Sequence, residues 1–266
     1  DIDYFKIGKD FALGLHRFYQ RLESSHLKDI EFIKCQITGP ITFAASIKDE
    51  SGVALLHNTV FMEAVLKGLV MKALWQINFF KKFNKKIIMF LDEPYLGCFG
   101  SAYTPINRED VVRYLEELTE SIRLNNILIG VHCCGNTDWS IFTDIKTIDI
   151  ISFDSYSFLD RFVLYSDNLK GFLERGGIIC WGIVPTQEFS TDETADLLIK
   201  RIKDSIDILA KKGLDKGLLS ENLLVSPACG LGVLDISSAN NIFRLLSEVS
   251  LTLSTFSYLQ GGKRQN

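Results

Sequence analysis

Apolar residues gather in short runs at about 31–37, 86–92, 127–133, 148–154, 177–184 and 222–226. Runs this short, rich in Ile, Val, Leu and Phe and bounded by Gly, Pro, Asn or Asp, predict strands. Between them apolar positions recur at helical spacing, which predicts helices at about 9–24, 57–83, 108–122, 138–144, 160–174, 192–212 and 236–258. Asn107, Thr191 and Asp235 stand before three of these as start signals. Most of the strand runs are too uniformly apolar to keep one face wet, which is how parallel strands covered by helices on both faces read. Strand and helix alternating in this number predict an α/β chain, either a closed eightfold barrel or a doubly wound sheet.

No Gly-x-Gly-x-x-Gly or Walker loop opens any of these helices, which favours the barrel over a nucleotide-binding sheet. The expected fold is therefore a TIM (β/α)8 barrel forming one catalytic domain over residues 1–266. Six strands are legible where eight are needed, so the barrel is expected to be incomplete at its N-terminus, with a strand or strands missing there. The tail Gly261-Gly-Lys-Arg-Gln-Asn266 reads as frayed.

A chain of 266 residues, 47% hydrophobic and 23% charged, fits one large α/β domain with a substantial core. Its formal charge of −4 leaves no basic surface for nucleic acid, and the pairs Lys81-Lys82 and Lys85-Lys86 read as charges at a helix end. Lys67 and Lys72 interrupt the longest apolar helix too early for a membrane span. Neither nucleic acid nor membrane is an expected partner. Six cysteines (35, 98, 133, 134, 180 and 229) at irregular spacing, with no signal sequence, favour reduced thiols and a cytoplasmic location.

Polar residues collect where the strands end. Pro40, Pro94, Pro185 and Pro227 each follow a strand C-terminus, where proline ends pairing and stiffens the loop. In an α/β barrel those ends open onto the face that holds the active site, so Asp92, Glu93, His132, Cys134, Asp154 and Cys229 are expected to converge. In the run Val131-His-Cys-Cys134, strand alternation sends His132 and Cys134 to one side and Cys133 to the other. Imidazole and thiolate are ligands that zinc prefers. His132, Cys134 and Cys229, with Asp154 or Glu93 as oxygen donor, would close a tetrahedral Zn2+ sphere. The plainer alternatives are a small core cysteine in each case, and for Asp154 a carboxylate that bonds loop amides. Zinc with one exchangeable position holds a substrate thiol as thiolate.

The segments Gln36-Ile-Thr-Gly-Pro-Ile-Thr42, Leu91-Asp-Glu-Pro94, Val131-His-Cys-Cys-Gly-Asn136, Asp149-Ile-Ile-Ser-Phe-Asp154 and Ser226-Pro-Ala-Cys-Gly-Leu-Gly232 resemble, in this order, the catalytic barrel of cobalamin-independent methionine synthase. Its single-barrel relatives share them, in a superfamily that includes uroporphyrinogen decarboxylase. The resemblance implies zinc held by His132, Cys134, Asp154 and Cys229, and methyl transfer to the sulfur of homocysteine. Asp154 stands where the family usually carries a glutamate, one methylene longer. The resemblance also sets Asp92 against the substrate ammonium with Glu93 in support. Asp92 and Glu93 are thus the expected catalytic residues, and Asp92, Thr38 and Gly39 the expected substrate-binding ones. The implied methyl donor is methyltetrahydrofolate or a methylated corrinoid protein. Trp139 and Trp181 either offer it a stacking surface or simply pack. Two rival readings are a porphyrinogen-type decarboxylase, which needs a basic cavity, and a non-catalytic paralogue that binds zinc or a thiol.

Overall fold

The computed structural model describes residues 2–101, 106–124, 127–187, 189 and 192–259. The tail at 261–266 and the anticipated cap Thr191 lie outside these. The chain divides into two compact units, Asp1–Leu96 with Gly100–His132, and Gly97–Phe99 with Cys133–Asn266.

The first unit holds β1 (Phe32–Thr38), β2 (Lys86–Asp92) and β3 (Ile127–Cys133), paired in that order and parallel. Around them lie α1 (Leu13–Glu23), α2 (Pro40–Ser46), α3 (Thr59–Phe80) and α4 (Arg108–Ile122). Asn58 opens α3 by accepting from the N–H groups of Val60 and Phe61, and Asn107 opens α4 by accepting from Asp110 N–H. Helix α1 is held to α3 by aromatic rings: Tyr19 stacks on Phe79 at 4.2 Å, and Phe79 on Trp75 at 4.8 Å. Lys82, just past α3, lies over the Tyr19 ring and pairs with Glu23.

In the second unit β4 (Ile150–Phe153), β5 (Ile178–Val184) and β6 (Leu223–Pro227) are again parallel and in chain order. Six helices accompany them: α5 (Ser140–Asp144), α6 (Ser155–Phe162), α7 (Ser166–Glu174), α8 (Ala195–Lys211), α9 (Lys216–Glu221) and α10 (Ile236–Leu259). Ile183 and Val184 of β5 meet Leu198 and Ile202 of α8 and Ile242 and Val249 of α10 in one apolar cluster. A second core is aromatic. Phe153 stacks on Phe162 with ring centres 3.8 Å apart, and Trp139 and Trp181 meet Phe153 at angles.

All six anticipated strands form, within two residues of their expected bounds. Among the described residues there are six strands rather than eight, in line with the expected incomplete barrel. The helix expected over 160–174 is two, because α6 starts earlier and the chain turns at Val163–Tyr165, which lets Phe162 reach Phe153. The helix expected from 192 begins at Ala195, with Thr194 as its cap in place of Thr191. Helices α2 and α9 were not anticipated. Each is under two turns, too short to show a period. Strand β1 also differs from the fully covered pattern: Ile33, Cys35 and Ile37 are buried while Lys34, Gln36 and Thr38 are exposed. No described helix is long and apolar enough to cross a membrane.

The aromatic core of the second unit yields a stability prediction. Phe162→Ala removes a fully buried ring and its stack, and should cost about 3–5 kcal/mol in urea unfolding. A loss below about 1 kcal/mol would mean the ring is not packed as described.

Candidate metal centre

Parallel register fixes a polar row at the ends of the first three strands. Thr38 is paired with Asp92, and Asp92 with His132. Backbone bonds continue past the strand ends, since Gly39 N–H donates to the Asp92 carbonyl and Glu93 N–H to the His132 carbonyl, both at 2.8 Å. Asp92 is half-buried, and burial raises its pKa while the Lys34 charge opposes that rise.

Glu93 is fully buried, and its carboxylate is spoken for. One oxygen accepts from Ile41 N–H at 2.9 Å, and the other from Thr42 N–H at 2.8 Å and the Thr42 hydroxyl at 2.7 Å. Gly39, at the N-cap of α2, has no side chain to do this. Glu93 caps the helix from 52 positions away. The absence of a side chain at residue 39 is also what admits the carboxylate, since a Cβ there would lie 2.2 Å from Glu93 Oε1. Thr42 Oγ1 in turn accepts from Tyr95 N–H at 3.2 Å. Burial pushes the Glu93 pKa up to about 7, against the pull of the donated hydrogen bonds.

The end of β3 carries His132, and Cys134 follows just beyond it. The ligand atoms of His132, Cys134 and Cys229 all lie within 4.8 Å of one another, and each residue is partly exposed. Cys133 is buried, as alternation requires. Burial first, and then the neighbouring Cys229, raise the Cys134 pKa to about 11, with Asp154 adding to the rise. Ionising Cys134 would set a thiolate against the neighbouring sulfur. A cation among them reverses that penalty.

Asp154 is not part of this group of three. It caps α6, accepting from Ser157 N–H at 2.9 Å, although its charge is felt at Cys134. Glu93 is likewise outside the group. Trp139 and Trp181 are fully buried, so they pack rather than present a stacking surface. Three residues near the site were not singled out in the sequence. Thr42 was hidden because α2 was not anticipated, and proline at the first helical position, Pro40, was the available signal. Gly97 and Gly135 approach so closely that a Cβ on Gly135 would lie 2.8 Å from the Gly97 Cα. No short-range pattern announces a contact between residues so far apart.

Parallel strands alternating with helices, and one imidazole with two thiols gathered at strand ends, define an α/β protein with a candidate metal site. The chain belongs to the family described as cobalamin-independent synthase, catalytic domain, whose model matches residues 17–250. A methionine synthase of Methanocaldococcus jannaschii is 26% identical over 221 residues, which is 82% of this chain and 64% of that protein. The chain thus spans just under two thirds of this curated relative. Among solved structures, the endoglucanase CEL6B from Humicola insolens aligns at a TM-score of 0.41 and 9% identity, over 82% of this chain and 61% of that one. A likeness that distant carries no argument.

The raised pKa of Glu93 gives a pH dependence with a definite sign. Its ordinary value is 4.5, so between pH 4.5 and about 7 the folded chain holds a proton that the unfolded chain has lost. The resulting stabilisation is complete below pH 4.5 and is lost as pH rises through about 7, a change on the order of 3 kcal/mol. In metal-free protein, the stability advantage of wild type over Glu93→Gln should therefore shrink between pH 4.5 and 8. A difference that stays constant across this range would contradict the raised value.

Proposed function

We propose that the chain is a zinc-dependent methyltransferase that moves a methyl group to a thiol, homocysteine becoming methionine. The observation that carries this reading is the gathering of His132, Cys134 and Cys229 within 4.8 Å. Zinc bonds of about 2.3 Å to sulfur and 2.0–2.1 Å to nitrogen put tetrahedral ligands roughly 3.5–3.8 Å apart, so three donors this close need only small movements to close on one ion. The donor types match as well, and Asp154 is the proposed carboxylate partner. Bound there, zinc would supply the Lewis acidity that keeps a substrate thiol ionised at neutral pH.

The chain's own residues do the rest. Asp92 is next to His132 in register and half-buried, and in this reading it receives the substrate ammonium. An ammonium there would offset the cost of burying the carboxylate. Thr38 and Gly39 border it on the β1 side and form the other part of the proposed amino-acid pocket. Holding the amino acid by its ammonium aligns the sulfur with the incoming methyl carbon, and such alignment supplies much of the rate in a displacement that needs no protein nucleophile. Glu93, with no exposed surface, touches no substrate in this reading. The methyl donor is methyltetrahydrofolate or a methylated corrinoid protein, and supplying each with homocysteine distinguishes them by methionine formed.

Purified protein should hold one zinc per chain, and Cys134→Ala and Cys229→Ala should each lose most of it. Retention of a full equivalent in both variants would refute the ligand assignment. Asp154→Asn separates two roles, because asparagine caps a helix as well as aspartate does but is a poor metal ligand. That variant should keep its thermal stability and bind zinc at least tenfold more weakly. Unchanged affinity would leave Asp154 as a cap alone.

A further inference from the structure

We infer that Glu93 is a positioning residue for the metal site, holding His132 and Asp92 in place through a buried joint with α2. The inference rests on the proposal that His132 ligates zinc.

Three strand ends meet at this one residue. Its backbone N–H is bonded to the carbonyl of His132, at the end of β3. Its carboxylate is bonded to Ile41 and Thr42, in the first turn of α2, which directly follows β1. It immediately follows Asp92, the last residue of β2. Thr42 closes the joint by accepting from Tyr95, two residues beyond Glu93. A carboxylate with three donors has one low-energy placement, and a fully buried one cannot exchange those donors for water. The peptide that begins at Glu93 is thereby fixed, and with it the carbonyl of His132. Neither of these roles brings Glu93 into contact with substrate, since it has no exposed surface. Groups that orient a metal ligand are commonly worth 10- to 100-fold in metal affinity.

The substitution Glu93→Gln tests this. An amide offers one acceptor oxygen and one donor nitrogen, so one of the α2 donors is left facing another donor. Zinc affinity is measured by competition with a chromophoric chelator, and the cobalt-substituted protein reports ligand geometry through its visible absorption bands. Wild type is titrated first. If it binds no zinc, the methyltransferase reading fails, and the positioning role falls with it. If wild type binds, Glu93→Gln should bind zinc about 10- to 100-fold more weakly and show shifted cobalt bands, with its far-UV circular dichroism retained.

Leu115→Ala serves as the control, because it removes a buried side chain of α4 in the same unit and makes none of the hydrogen bonds of the joint. Its affinity should stay within about twofold of wild type. Equal weakening in both variants would reduce Glu93 to a general stability residue, and an unchanged affinity in Glu93→Gln would overturn the inference outright. Should Glu93→Gln not fold, Thr42→Val takes its place. It deletes the hydroxyl that links Glu93 to Tyr95 but keeps the backbone donors. A folded Thr42→Val chain should lose about two- to tenfold in zinc affinity, and no loss would overturn the inference.

Discussion

Parallel pairing is the constraint on which the site depends. Strands that run the same way deliver their C-termini to the same end of a sheet, so residues placed just after each strand become neighbours without being close in sequence. In the first unit this sets Thr38, Asp92 and His132 side by side by register alone. In the second it carries Asp154 and the Pro227-Ala228-Cys229 turn to the ends of β4 and β6. The helices then serve the strands, covering their faces and bridging from one end back to the other.

What the sequence disclosed and what it hid follow from the range of the interactions involved. Uniformly apolar stretches such as residues 87–91 of β2 are visible because burial on both faces leaves no polar residue to obscure them. His132 and Cys134 are legible because strand alternation is a rule of adjacent residues. The meeting of Cys134 with Cys229 could be argued only by assuming a fold, since nothing local links positions so distant. Helix α2 was missed because its stabilisation comes from elsewhere: Gly39 cannot cap it, Ile41 and Thr42 are β-branched, and the missing cap is supplied by Glu93. The role of Glu93 was concealed by the same fact. In sequence it is one of two adjacent acids, and only its complete burial separates it from Asp92.

The two acids illustrate how neighbours acquire different chemistry. Asp92 keeps part of its surface and faces the row that ends in His132. Glu93 points the opposite way, as strand geometry requires of the next residue, and finds the first turn of α2. One carboxylate is left for an incoming charge, while the other has all its attractions satisfied by the chain.

The close approach of Gly97 and Gly135 places a condition on how this protein can change over generations. The loop that carries Cys134 passes another stretch of backbone at a distance set by two hydrogens. Because each glycine is needed for the space the other occupies, substituting one does not free its partner to vary. The loop can drift in length or charge further along, but these two positions are locked together, and the Cys134 thiol stands one residue from that constraint.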